Sequence, residues 1–155
     1  MDILDTRNTP DASHTVVWVH GDALGPRNPA LLAYPGAPAI YVWDDALLAQ
    51  YGLSLKRVTF LYECLLELPV TIRRGDDVAA EILRFAAEHD AARVVTSETP
   101  APRFAAISEA IAAHLPVETL PVEPFVRYRG KIELKRFSRY WRVAQRYAYG
   151  DDDGR

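Results

Sequence analysis

Seven residues are of types that hold or act on a small molecule, and each stands at the end of a short apolar run or in the loop after it: His20, Gly21, Asp22, Asn28, Asp44, Ser97 and Glu98. An imidazole in a loop can donate, accept or transfer a proton. The three carboxylates, the amide and the hydroxyl supply fixed hydrogen-bonding groups, and a glycine lets backbone approach a ligand closely. Each has a competing structural role. A lone loop histidine is commonly just solvated, Asp22 suits the cap of a following helix, and Asn28 before Pro29 reads as an N-cap with proline at the first helical position.

More specific chemistry finds no carrier. The chain has neither GxGxxG nor GxxxxGK[ST], so the usual dinucleotide and phosphate loops fail, and it has no GxSxG or HExxH. Cys64 lies among leucines and reads as an inert core thiol that has no internal disulfide partner, being the sole cysteine. Four scattered histidines lack ligand spacing, so no metal is expected. With no catalytic constellation in view, the sequence points away from an enzyme.

The elements that would position these residues alternate along the chain. TVVWVH, AIYVWD, VTIRR, ARVVTSE and PVETLPV are short apolar or β-branched runs, predicting strands near 15–20, 38–43, 70–74, 92–97 and 116–120. Between them, NPALLAY opens a first helix. Ser54 caps a second helix over 54–68, with Val58, Leu61, Leu65 and Leu68 at helical spacing. An acid-led helix carries Val78, Ile82, Phe85 and Ala86 on one face, and PRFAAISEAIAAHL supplies another. Strand–helix alternation predicts an α/β fold, a doubly wound, Rossmann-like, five-stranded parallel sheet in the order 3-2-1-4-5. In such a sheet ligands bind beyond the carboxyl ends of the strands where the order reverses. That puts His20, Gly21, Asp22, Gly25 and Asn28 on one wall, Ser97, Glu98 and Thr99 on the other, and Asp44 and Asp45 beside them.

The expected organisation is a mobile leader at 1–14, the α/β domain at 15–123, a basic aromatic extension at 124–149 with a helix near 133–147, and an acidic tail at 150–155. The net charge of −3 conceals a strong asymmetry. Residues 125–149 hold eight basic residues (Arg127, Arg129, Lys131, Lys135, Arg136, Arg139, Arg142, Arg146) against Glu133 alone, so this segment is +7 and the remainder −10. Such polarity predicts a surface for something acidic, whether nucleic acid, a protein, or the chain's own acidic part. No apolar run approaches the roughly eighteen residues of a membrane helix, and the N-terminal residues lack the basic-then-apolar pattern of a signal peptide. A cytoplasmic protein with no membrane partner is expected, and homo-oligomerisation stays open.

Taken together, VVWVHGDALGPRNPAL, AIYVWDDALL, KRVTFLYECLLEL, IRRGDD and FSRYWRVAQ resemble the N-terminal α/β domain of the photolyase and cryptochrome family across residues 15–145. The likeness rests on Trp18, Asp22 and Asn28 to Leu31 in the first strand and loop, and on Arg57, Phe60, Leu61, Glu63 and Leu65 in the second long helix. Two departures stand out. The chain stops where the family's helical flavin-binding domain begins, so the catalytic FAD and light-driven DNA repair are not expected of it alone. His20, Gly21 and Leu24 also stand where the family loop is rich in arginine, and Arg27 rather than an acid precedes Asn28. The resemblance implies a stand-alone, photolyase-like α/β domain holding an antenna chromophore (a flavin, deazaflavin or folate) or a nucleotide-like ligand at the strand ends. The alternative is an interaction module whose Arg136, Arg139, Arg142 and Arg146 dock on a separate photolyase-like helical subunit or on DNA.

Overall fold

The computed structural model describes residues 12–149. The leader before residue 12 and the acidic tail at 150–155 lie outside the described residues. The chain divides into two compact units, one ending at Val122 and the other beginning at Glu123.

Val16, Val17, Trp18 and Val19 are each exposed by 3% or less, which is why strand β1 (Thr15–Trp18) reads as a continuous apolar run rather than an alternating one. Both of its faces are covered. It lies at the centre of a parallel sheet in the order β3-β2-β1-β4-β5, with β2 (Ala39–Asp44), β3 (Thr71–Gly75), β4 (Arg93–Ser97) and β5 (Val117–Leu120). Trp18 pairs with Ile40 of β2 on one side and Thr96 of β4 on the other. The topology is the expected doubly wound one, with strand boundaries moved by a residue or two.

Alternation along β1 sends side chains to two cores. Val16 and Trp18 join Ile40, Val42 and Val94 against α4 (Val78–Glu88) and α5 (Pro102–Ala112). Val17 and Val19 join Tyr41 and Val95 against α1 (Pro29–Ala33) and α3 (Leu55–Leu66). The apolar face anticipated for α4 is the one it buries, through Val78, Ile82, Phe85 and Ala86. On α3 only Leu65 is fully buried, while Val58 and Leu61, and Leu68 just beyond its end, are partly covered.

Local chemistry sets the helix starts. The side chains of Asn28, Ser54 and Asp77 each accept a backbone N–H of the first turn of α1, α3 and α4. One element goes beyond the sequence reading, the short helix α2 (Asp45–Tyr51). Asp44 caps it through Oδ1, 2.8 Å from the Leu47 nitrogen, and Gly52 ends it in the left-handed conformation at φ 53°.

At the amino ends of the strands the sheet is tied together. The Tyr34 hydroxyl donates to Glu118 at 2.8 Å, and the Arg93 guanidinium lies 5.0 Å over the Tyr34 ring and 3.6 Å from Glu118. Burial, reinforced by the bond to Glu118, raises the Tyr34 pKa. The carboxyl ends are open.

In the second unit, α6 (Phe137–Ala148) begins four residues later than expected. Its aromatic residues pair along their own unit: Phe137 stacks on Trp141 with ring centres 5.8 Å apart, and Trp141 meets Tyr149 edge to face. Phe137 itself is exposed.

Candidate functional site

A cleft of about 560 Å³ opens over the carboxyl ends of β1 and β2. It exists because the chain turns in opposite directions on leaving β1 and β4: α1 and α3 lie on one face of the sheet, α4 and α5 on the other. The walls come from Trp18 to Asp22 after β1, Tyr41 to Asp44 of β2, the α2–α3 segment, and the first turns of α5. Aromatic and aliphatic groups dominate. Trp18 and Phe104 stack nearly parallel with centres 5.4 Å apart, and the His20 ring packs edge-on against both. Leu47, Leu48, Leu61 and Ile107 add aliphatic surface.

Four of the seven anticipated residues line this cleft: His20, Gly21, Asp22 and Asp44. His20 does so with its ring, because both nitrogens are engaged. Nδ1 accepts the Asp22 backbone N–H at 3.4 Å, which leaves Nε2 to carry the proton it donates to the Ser97 carbonyl at 2.8 Å. The histidine therefore ties the loop after β1 to the end of β4, and a proton-transfer role would first require breaking that tie. The Asp22 carboxylate accepts from the Thr99 hydroxyl and makes a second tie between the same loops. Asp44, only 6% exposed, receives the α2 amide on one oxygen and the Arg103 guanidinium on the other, bridging β2 to α5. That ion pair matches the need of a buried carboxylate for compensation.

Asn28, Ser97 and Glu98 are not on the cleft surface. Asn28 is 3% exposed; its Oδ1 accepts the Ala30 and Leu31 amides at 2.9 and 3.1 Å and the Ser97 hydroxyl at 3.1 Å. Its Nδ2 donates to the Ala23 carbonyl at 2.8 Å. Asn28 and Ser97 thus form a buried bracket behind the β1 loop. Glu98 accepts the Val122 amide at 2.8 Å, on the β5 side.

The structure adds three polar groups that the sequence reading left out of the site: Tyr41, Arg57 and Arg103. Burial, with a smaller contribution from the nearby Asp44 charge, pushes the Tyr41 phenol up to about 12. Its hydroxyl and the Arg57 guanidinium form no hydrogen bond or ion pair among the described residues. Arg57 was visible only as part of a family-like helix, and Tyr41 only as a strand residue. Their convergence on the cleft follows from α3 packing against the sheet face that carries Tyr41, which no local pattern records.

The chain matches no family model and no curated protein. Among the described residues, no cluster of histidine, cysteine and carboxylate side chains could hold a metal ion. No helix among them is long and apolar enough to cross a membrane.

Proposed function

We propose that the α/β unit is a binding module for a flat, aromatic, nucleotide-like molecule held in the strand-end cleft. The photolyase and cryptochrome resemblance suggests an antenna-type chromophore, a flavin, deazaflavin or folate. The observation that carries the reading is the cleft itself: its size falls in the range of small-molecule sites, and its walls are aromatic and aliphatic. Its polar groups are mostly spent on one another, in the pairs His20–Ser97, Asp22–Thr99 and Asp44–Arg103. Those pairs hold the walls in place and favour binding over chemistry. The groups left over are suited to a ligand that is both aromatic and anionic: the Tyr41 hydroxyl for a ring heteroatom, and the Arg57 guanidinium for a phosphate or carboxylate.

Absorption from the near ultraviolet to the blue would reveal a chromophore that remains with the purified chain. Titration with flavin mononucleotide, a deazaflavin and a reduced folate, followed by ligand fluorescence, then measures binding. At least one should bind, and Arg57→Glu should weaken that binding about tenfold, the loss of one partly exposed charge-assisted contact. Failure of all three to bind, or no effect of Arg57→Glu, refutes the reading.

A second reading has its own observation. Arg139, Arg142 and Arg146 share one face of α6; Arg139 pairs with Glu133, whereas Arg142 and Arg146 have no carboxylate partner among the described residues. This supports an acidic partner for the second unit, DNA or a photolyase-like helical protein. Binding to a DNA duplex that weakens steeply with salt, and is lost in Arg142→Glu/Arg146→Glu, would bear it out; salt-independent behaviour would dismiss it.

A further inference from the structure

Helix α3 is apolar on two sides. The inner side carries Leu65, 1% exposed, with Val58 and Leu61 partly covered. The outer side carries Leu55, Tyr62 and Leu66, exposed by 80, 47 and 63%, with exposed Thr59 between them. Positions 55, 59, 62 and 66 follow the spacing that aligns side chains along one face of a helix. A helix on the surface of an α/β unit needs one apolar stripe; a second one marks a surface that another helix covers.

From this stripe we infer that α3 is a self-association surface, on which two copies of the chain pair their α3 helices antiparallel about a two-fold axis. The spacing reads the same in both directions. Turning the helix end for end about the midpoint between Phe60 and Leu61 places Leu55 opposite Leu66 of the second copy and Thr59 opposite its Tyr62, so a small side chain faces a large one. An isologous interface requires this self-complementarity.

The charges make the same choice. Lys56, Glu63 and Glu67 share the flank beside the stripe, the lysine in the first turn and the glutamates toward the end. None of the three has an ion-pair partner among the described residues. Within a single helix the order is unfavourable, since the amino end of a helix favours acids and the carboxyl end favours bases. In the antiparallel pair, Lys56 of each copy falls between Glu63 and Glu67 of the other, and the two helix dipoles oppose. A parallel pair would carry the two flanks to opposite sides of the contact and lose these pairings. The inner side of α3, which supplies Arg57 and Leu61 to the cleft, is not part of this contact.

Twelve residues make a helix of about 18 Å, and a single helix pair buries less than the roughly 800 Å² per partner of a standard interface. The dimer should therefore be reversible and concentration-dependent. Sedimentation equilibrium of the full chain over about three decades of concentration tests it. The wild type should pass from monomer to dimer. Leu66→Glu should weaken dimerisation by at least about thirtyfold while leaving the thermal midpoint of the dilute monomer in place. Lys56→Glu should weaken it as well, and the triple variant Lys56→Glu/Glu63→Lys/Glu67→Lys, which swaps the charges, should restore it. A wild type that stays monomeric throughout overturns the inference and leaves the stripe to a different protein. So does a dimer untouched by Leu66→Glu, and a triple variant no stronger than Lys56→Glu excludes the antiparallel register.

Discussion

Replacing Asn28 with alanine should damage stability far more than any direct loss of ligand contact would suggest. The side chain makes four hydrogen bonds: it accepts two amides at the start of α1 and the Ser97 hydroxyl, and it donates to the Ala23 carbonyl. Losing the cap costs about 1 kcal/mol. The Ser97 hydroxyl, fully buried, and the Ala23 carbonyl lose their partner too, at about 1 kcal/mol or more each. The sum is about 3 kcal/mol, which for a chain of this size lowers the melting temperature by roughly 6–12 °C. Asn28→Asp separates the parts. It keeps the cap but turns the donor to Ala23 into an acceptor and buries a charge, so it should also destabilise, and less so at acid pH where the carboxyl is protonated. Thermal unfolding by circular dichroism at neutral and acid pH reads both variants. If Asn28→Ala melts within a degree or two of the wild type, the bracket holding the β1 loop to β4 is not stabilising, and the account of the cleft wall fails with it.

The Tyr41 phenol, with its folded-state pKa at about 12 against 10.0 for an ordinary tyrosine, favours the folded state below pH 10; that contribution drains away between pH 10 and 12 as the unfolded chain ionises first. Tyr41→Phe should accordingly lose less stability than wild type over that range, in melts taken at stepped alkaline pH, and equal losses would contradict it. Ile82→Ala, at a fully buried position of α4, should cost about 2–5 kcal/mol in chemical denaturation, whereas Leu55→Ala on the exposed stripe should change the dilute monomer by less than about 0.5 kcal/mol. Glu88→Gln breaks the exposed pair in which Arg73 lowers the Glu88 pKa, and it should shift the melting temperature by no more than a degree or two.

How much of this was legible beforehand depends on the distance over which each signal acts. Strand runs such as TVVWVH, capping residues such as Asn28 and Ser54, and the apolar periodicity of α4 are written within a dozen residues, because backbone hydrogen bonding and one-sided burial are local demands. The sheet order follows from them once crossovers must be right-handed and strands alternate with helices. Short α2 escaped, since seven residues between a strand and a longer helix carry too little periodicity to register.

The sequence by itself determined the strands and the longer helices of the α/β unit, the parallel sheet and the end of it at which a cleft forms. Tertiary structure alone decided which groups face that cleft. His20 looked like a free imidazole until the backbone carbonyl of Ser97, 77 positions away, was seen to accept its hydrogen bond. Asn28 and Ser97 looked like site residues and proved to be each other's buried partners, while Arg57, Arg103 and Tyr41 gained their places only when α3, α5 and β2 met. The physical reason is that a polar group's availability depends on whether another group has already satisfied it, and that partner is chosen by packing across the sheet, not by neighbours in the chain.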